Sequence, residues 1–173
     1  MTTLDAGNSC RPHAAIEVLN SYEKLTVGWR EWLALPALGI PAIKAKIDTG
    51  ARTSALHAFF IEPFDLGAQK MVRFGIHPLQ KNEQLELICE AAVVDERFVT
   101  DSGGHREIRF VIETSIALQG KIWTIEMTLT NRDSMKFRML LGRTALAKQF
   151  LVDPEASFIG GRQLRSIYKK RDE

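Results

Sequence analysis

The sequence predicts a single, mainly β domain in a chain of 173 residues. Several segments alternate apolar and polar residues with a period of two, which is typical of strands with one buried face. Glycine-containing turns separate these segments, as expected for hairpins. An apolar content of 45% is sufficient for one sizeable core. We therefore expect one compact domain built largely from strands.

Charge, cysteine content and hydropathy exclude several classes of protein. Lys and Arg together number 23 against 21 Asp and Glu, a balance that argues against a dedicated nucleic-acid binder. Cys10 and Cys89 are too few for a disulfide framework and fit a reducing compartment. No segment has the apolar length of a signal peptide or a membrane span. We expect a cytoplasmic protein with no nucleic-acid or membrane partner.

The two ends of the chain differ from its centre. Residues 1–25 form an N-terminal extension, in which His13 to Leu25 has helical apolar spacing. Residues 26–160 carry the strand patterns of the main domain. The last segment, 161–173, is rich in basic residues and is interpreted as a solvated tail rather than a docking site.

The first part of the main domain leads to an aspartate at the end of a strand. Strand character begins at Thr26, and the stretch from Pro36 to Pro41 turns the chain back. Apolar side chains then alternate with Lys44 and Lys46 until the chain reaches Asp48. Gly50 allows the backbone to fold close to that carboxylate. An Asp-Thr-Gly triplet alone is weak evidence, because Asp and Gly are also the commonest turn formers.

The middle of the domain contains a region of uncertain course and then two clear hairpins. Residues 58–99 include one good strand, with Leu87 and Cys89 on the same face, and are interpreted as an elaboration of the basic domain. Asp101-Ser102-Gly103-Gly104 separates two extended stretches and predicts a hairpin tip. A second turn at Gln119-Gly120 precedes another alternating strand.

The last strand pattern is Met139-Leu140-Leu141-Gly142-Arg143, followed by a short helical pattern from Thr144 to Leu146. Together with Asp48-Thr49-Gly50-Ala51, this stretch resembles the retropepsins, the retrovirus-type aspartic proteases. In that family an apolar-apolar-Gly-Arg strand packs beside the Asp-Thr-Gly-Ala loop. Two motifs in the right order are far more specific than either alone.

More closely, the chain resembles a bacterial retropepsin-like family often labelled ATP-dependent zinc protease and associated with ATP-grasp ligases that add glutamate to proteins. The resemblance implies a closed β-barrel of the acid-protease fold, here with a short helix after the Leu-Leu-Gly-Arg strand and an N-terminal helical extension. It covers residues 26–159 apart from the elaboration at 58–99. An ATP-grasp ligase is therefore an expected partner, besides a peptide or protein substrate.

The resemblance also implies an aspartic peptidase with Asp48, Thr49 and Gly50 in the catalytic loop. Such chemistry needs two carboxylates that share one proton, one as base toward water and the other as acid. One chain offers one, so a C2 homodimer is expected to supply the second. Thr49 would hydrogen-bond across the dimer axis or, without a dimer, stabilise the turn. At Ala51 a Ser or Thr would donate a hydrogen bond to the carboxylate, and its absence suits work nearer neutral pH.

The expected substrate-binding residues are those around this loop and at the hairpin tip: Ala51, Arg52, Ser102, Gly103, Gly104 and Arg143. Asp101-Ser102-Gly103 is not interpreted as a second catalytic triplet, because a second lobe would need its own apolar-apolar-Gly strand. A polar turn, with the tip acting as a flap over the substrate, fits better.

One residue departs from the family pattern. Viral retropepsins have an acidic residue after Asp-Thr-Gly-Ala, which pairs with the arginine of the Gly-Arg motif, whereas this chain has Arg52. Either an acidic residue elsewhere, such as Asp133, neutralises Arg143, or the site keeps surplus positive charge for an acidic substrate. An ordinary ion pair of Arg52 is about equally compatible with the sequence.

Two alternative functions remain open at the level of the sequence. A zinc-dependent peptidase would need ligands from His57, His77, Cys89 and His105, whose spacing matches no zinc motif. No phosphate-binding Gly-rich motif is present either, so neither metal nor ATP is expected as a cofactor of this chain. The second alternative is a non-catalytic peptide-binding partner of an ATP-grasp ligase.

Overall fold

The computed structural model describes residues 24–100, 103–104, 106–131 and 136–171. Strands account for most of the regular structure, together with one short α-helix and 3₁₀ segments at Pro36–Leu38 and Gln163–Arg171. In chain order these strands and the helix are β1 (Leu25–Gly28), β2 (Arg30–Leu35), β3 (Ile40–Asp48), β4 (Ser54–His57), β5 (Phe60–Leu66), β6 (Gln69–Ile76), β7 (Leu87–Thr100), β8 (Arg106–Leu118), β9 (Lys121–Thr130), β10 (Met139–Gly142), α1 (Arg143–Leu146) and β11 (Phe150–Asp153). The expected mainly β fold is confirmed.

The main sheet closes into a ring of strands. Its strands follow the order β2, β3, β10, β4, β9 and β8, and β8 returns to β2 through the pairing of Ala117 with Ala34. Neighbours in the ring are antiparallel except for the parallel pairs β3–β10 and β4–β9. Because strands on the ring alternate inward and outward side chains, their apolar positions converge on one interior. The largest fully buried side chains include Leu33, Ile43, Leu56, Ile112, Met127 and Met139.

Residues 58–99 extend this sheet instead of forming a separate unit. Strands β5 and β6 make an antiparallel hairpin around Gly67, which has a φ of 62°. β6 then pairs with the first half of β7, while the second half of β7 pairs with β8. The elaboration is thus a three-stranded wing continuous with the ring.

The C-terminal segment, predicted to be a solvated tail, packs on the ring at Tyr168, while its Arg162 and Arg165 are exposed. The side chain of Tyr168 is 6% exposed, and its hydroxyl donates to the Ala42 carbonyl at 2.6 Å while accepting from the Ala42 N–H at 3.3 Å. Tyr168 packs with Trp32 and Ala42 in a second apolar cluster on the outer face of β2 and β3. Tyr168 therefore holds this part of the segment on the ring, a contact that the basic composition does not indicate.

Other expectations concern residues that lie outside the described part of the chain. The N-terminal helix predicted for His13 to Leu25 falls almost entirely among them, since the first described residue is Lys24 and β1 begins at Leu25.

β1 pairs in parallel with β11, from Leu25 opposite Phe150 to Gly28 opposite Asp153. Within the described residues, every helical segment is too short or too polar to serve as a membrane span.

Glu31 is a fully buried carboxylate on β2. Its Oε1 accepts hydrogen bonds from the N–H groups of Gly28 at 2.7 Å and Ile159 at 2.9 Å, and its Oε2 accepts one from Gly160 at 3.2 Å. A buried charge is tolerated only when such bonds replace its lost hydration. Glu31 therefore fastens the segment after β11 onto the ring.

We predict that Glu31→Gln lowers the free energy of unfolding by about 3 kcal/mol, because hydrogen bonds to buried charged groups contribute roughly 1.5–3 kcal/mol each and an amide cannot accept all three. Urea unfolding followed by circular dichroism measures the change. Glu62→Gln on β5, an exposed strand residue, is the matched control and should stay within about 0.5 kcal/mol of the parent. Equal stability of the two variants would show that Glu31 is not a structural anchor.

Candidate functional site

Asp48 is the last residue of β3, and the backbone of the following turn fixes one of its carboxylate oxygens. Asp48 Oδ1 accepts hydrogen bonds from the N–H groups of Gly50 and Ala51, both at 3.1 Å. No hydrogen bond to Oδ2 is formed within the described residues. A Cβ on Gly50 would lie 3.3 Å from Oδ1, so glycine leaves the carboxylate room. One oxygen is thus oriented and the other is available to a ligand or to water.

The end of β10 lies directly beside this turn. In the parallel β3–β10 register, Gly142 is opposite Asp48. The Arg143 N–H donates to the Ala51 carbonyl at 2.9 Å, and Thr144 donates to the Arg52 carbonyl through both its N–H, at 3.1 Å, and its hydroxyl, at 2.8 Å. Helix α1 therefore begins against the turn and holds residues 51 and 52 in place.

Gly142 is required by the closeness of this contact. A Cβ at this position would lie 2.6 Å from the Thr53 carbonyl carbon and 2.9 Å from the Arg52 carbonyl oxygen, which are backbone atoms that cannot rotate away. The Gly142 N–H also donates to the hydroxyl of buried Ser54 at 3.1 Å, while the Thr128 hydroxyl donates to the Ser54 carbonyl at 3.2 Å. Ser54 thus helps to hold the end of β10 in place. The sequence does not single it out, because serine is common in turns.

The Arg143 guanidinium binds the Asp48 turn through backbone carbonyls. Its Nη1 donates to the Gly50 carbonyl at 3.2 Å and, more weakly, to the Thr49 carbonyl at 3.4 Å. Among the described residues, no carboxylate forms an ion pair with Arg143. Asp133, the expected neutralising residue, lies outside them. Arg143 thus stabilises the loop while its charge stays uncompensated by any described acidic side chain.

Arg52 is exposed and forms no ion pair within the described part of the chain. The pKa of Glu126 is lowered mainly by hydrogen bonds from Arg97 and, more weakly, by the positive charge of Arg52. Glu126 is already held by Arg97, whose two terminal nitrogens donate to it at 2.6 and 3.0 Å. The carboxylate near Arg52 is therefore committed to another arginine.

The predicted flap tip belongs to a separate element. β7 and β8 form the expected antiparallel hairpin, with Thr100 opposite Arg106. Gly103 and Gly104 lie exposed in its turn, where Gly104 has a φ of 83°, and Ser102 is outside the described residues. No hydrogen bond among the described residues joins Gly104 to the Asp48 turn. The substrate-binding role of this tip stays a prediction.

The residues considered as zinc ligands lie in different environments. His77 stacks on Phe59 with ring centroids 4.4 Å apart and lies 3.5 Å from Glu86. The Cys89 thiol donates to the Leu38 carbonyl, and burial raises its pKa to about 11. His57 is buried on β4, and His105 is not among the described residues. The described residues contain no group of three His, Cys, Asp or Glu side chains arranged to hold a metal ion.

Comparisons with known proteins place the chain among relatives that are much longer. A protein named probable alpha-L-glutamate ligase from Shewanella halifaxensis is 50% identical over 143 residues, which are 83% of this chain and 31% of that protein. A protein of the same name from Desulfotalea psychrophila is 46% identical over 131 residues, 76% of this chain and 28% of the relative. The chain therefore spans about a third of the length of these curated relatives.

The solved structures include a similar fold from Legionella pneumophila. The protein Lpg0085, described as having unknown function, superposes with a TM-score of 0.66 at 27% identity. The match covers 79% of this chain and 98% of that protein, so the fold similarity extends over nearly the whole of the Legionella chain.

A family model described as "Retropepsin-like aspartic endopeptidase RimB" matches residues 26–163, which include the Asp48 turn, the β7–β8 hairpin and the Gly142-Arg143 strand end. The chain therefore belongs to the RimB-like family of retropepsin-like proteins.

Proposed function

We propose that the protein hydrolyses peptide bonds, with Asp48 from each of two copies forming the catalytic pair. The observation that carries this proposal is the Asp48 turn, where Oδ1 is fixed by two backbone N–H groups and Oδ2 is left available. Membership of a family described as aspartic endopeptidases supports the same chemistry. The two bonds to Oδ1 close the turn, and Oδ2 is the oxygen available for acid–base chemistry.

In this mechanism one carboxylate of the pair takes a proton from water, which attacks the scissile carbonyl, while the other donates its proton to the carbonyl oxygen. Two carboxylates that lie close together share one proton, because both cannot remain ionised at short distance. Asp48 needs a second copy for this pairing, and a two-fold axis beside the turn would provide it. The peptidase is therefore proposed to be a homodimer.

The charges around the turn favour an acidic peptide. Arg52 and Arg143 both flank the turn without an ion-pair partner among the described residues, because Arg143 binds carbonyls and Glu126 is held by Arg97. Guanidinium groups recognise carboxylates through paired, charge-assisted hydrogen bonds. The names of the relatives point to glutamate as the amino acid involved. We therefore propose Glu-rich peptides as preferred substrates.

A second candidate function is a non-catalytic, peptide-binding partner of a glutamate ligase. The observation that favours it is that the chain is similar to about a third of proteins named as ligases. Such a module would use the same Arg52 and Arg143 charges to hold an acidic peptide without cleaving it. Turnover that depends on Asp48 distinguishes the two candidates.

We predict that Asp48→Asn lowers kcat/KM for peptide hydrolysis by at least about a hundredfold, the usual contribution of a positioned acid or base, while the fold is kept. Cleavage of a Glu-rich peptide followed by mass spectrometry measures the loss, with circular dichroism as the check on folding. Asp65→Asn at the β5–β6 turn is the control. Activity that survives in Asp48→Asn but is lost with a chelator and regained with zinc would support the metallopeptidase instead.

We predict a monomer–dimer equilibrium in which the strand β11 and the residues up to Ile159 contribute to the interface. Leu151 on β11 is 54% exposed, so Leu151→Glu should place a charge in the interface and shift sedimentation toward the monomer, with a parallel loss of activity. Leu66→Glu is the matched control, since Leu66 is 65% exposed at the β5–β6 turn. A parent protein that stays monomeric at high concentration would count against the shared pair.

We predict that Arg52→Glu inverts or erases the preference for acidic peptides, because it replaces the attracting charge by a repelling one. The measurement compares kcat/KM for Glu-rich and neutral peptides of equal length at low salt, where charge interactions are least screened. Arg73→Glu on β6 is a control with the same change in charge away from the turn. If the parent and Arg52→Glu treat both peptides alike, Arg52 has no role in specificity.

A further inference from the structure

A basic groove lies on the outer face of β2 and β3, on the side where the C-terminal segment packs. Its volume is about 840 Å³, and its walls include Trp32, Leu85 and Tyr168. Five cationic side chains line it: Arg30, Lys44, Lys81, Arg162 and Arg165. They come from four separate stretches of the chain, so the concentration of charge is produced by folding and is not visible as a run in the sequence.

These five cations lack carboxylate partners among the described residues, since none of them takes part in an ion pair there. The repulsion between these charges is reflected in the pKa of Lys44. Its pKa is lowered by partial burial and then by the charges of Arg30, Arg165 and Lys81. Like charges held together in this way favour the binding of an anion, which relieves their repulsion.

Two of the guanidinium groups are already held in position. The Arg30 guanidinium carbon lies 4.4 Å from the centre of the Trp29 ring and 4.9 Å from that of Phe158, and Arg30 Nε donates to the Ser157 hydroxyl at 3.2 Å. The Arg162 guanidinium also lies over the Phe158 ring, at 4.7 Å. Stacked arginines lose less side-chain freedom when they bind a ligand, so their remaining N–H donors are prepared for a planar acceptor.

We propose that this groove, named here the cationic groove, binds carboxylates of an acidic polypeptide whose scissile bond lies at Asp48. The proposal rests on the proposed peptidase function, to which it adds a second binding site on the same chain. Lys44 and Asp48 share a face of β3 and are four residues apart, a separation of roughly 13 Å at about 3.3 Å per residue. An extended peptide spans that distance with about four residues.

A peptide fits the groove better than a nucleic acid. Single-stranded nucleic acids gain much of their affinity by stacking bases on aromatic rings. The Trp29 and Phe158 rings are already contacted by Arg30 and Arg162, and Trp32 is 9% exposed, so the groove offers little open aromatic surface. The formal net charge of +2 is also small for a nucleic-acid binder.

The binding test uses full-length Asp48→Asn protein, which should not cleave the probe, and a fluorescein-labelled glutamate peptide of about twelve residues, long enough to span both sites. Fluorescence anisotropy at low salt gives Kd. Lys44→Gln with Arg165→Gln should raise Kd about tenfold, the effect of roughly 1.4 kcal/mol. Lys70→Gln with Arg73→Gln, which removes the same charge from exposed positions on β6, should change Kd less than about twofold. Arg162→Gln alone, at an exposed position, tests the groove if the double variant folds poorly.

Activity gives an independent measurement in protein with Asp48 intact. The ratio of kcat/KM for the long peptide to that for one of about four residues should fall about tenfold in the groove variants, because a peptide of that length covers only the separation itself and leaves no residues to occupy both sites. If the parent cleaves the peptide but the groove variants change neither the kcat/KM ratio nor Kd, the proposed role of the groove is overturned and the proposed peptidase function stands. Groove-dependent binding without any cleavage by the parent would leave the groove and overturn the peptidase. A single-stranded oligonucleotide of equal charge that binds more tightly than the peptide, and loses affinity in the same variants, would overturn the choice of ligand.

Discussion

The close parallel pairing of β3 and β10 is the constraint on which the site depends. It sets Gly142 opposite Asp48, so the turn after one strand and the helix after the other begin at the same level. The contact is possible only because Gly142 has no side chain, since a Cβ there would lie 2.6 Å from the Thr53 backbone. The N–H groups of Arg143 and Thr144 can then reach the carbonyls of Ala51 and Arg52. A rigid strand pair thereby orients a carboxylate that a free surface turn would leave mobile.

The same arrangement explains why the site is positively charged. Where viral retropepsins have a carboxylate for the Gly-Arg arginine, Arg143 here uses the carbonyls of Thr49 and Gly50. Carbonyl acceptors satisfy the N–H donors of a guanidinium but do not cancel its charge. The position of the missing carboxylate is taken by Arg52, and this substitution doubles the uncompensated charge near the turn among the described residues. Arg143 thus stabilises the loop, and Arg52 adds a second positive charge beside it.

Much of this could be predicted from the sequence where a pattern repeats locally. Alternation identified β3, β8 and β9, because each has one face in the core, and the two motifs at Asp48 and Gly142 identified the turn and its neighbour. The β5–β6 hairpin is poorly marked, because Pro63 and the charged residues beside it interrupt the alternation and most of β5 is only partly buried. Tyr168 was hidden among basic residues. Its burial depends on Trp32 and Ala42, which are more than a hundred positions away and have no local signature.

The group of cations in the cationic groove and the group beside the Asp48 turn lie near different points of β3, which has a physical consequence for recognition. The distance from Lys44 to Asp48 along the strand, roughly 13 Å, exceeds the Debye length of about 8 Å at physiological ionic strength, so through-space coupling between the groups is weak. A peptide that binds one group nevertheless raises the local concentration of its own free end at the other. The resulting gain in affinity depends on the length of the peptide and on its number of carboxylates, and only slightly on the order of its residues. If the two proposed sites act together, the protein would therefore distinguish long acidic segments from short ones without reading a sequence, which is the discrimination that a tail made of one repeated residue requires.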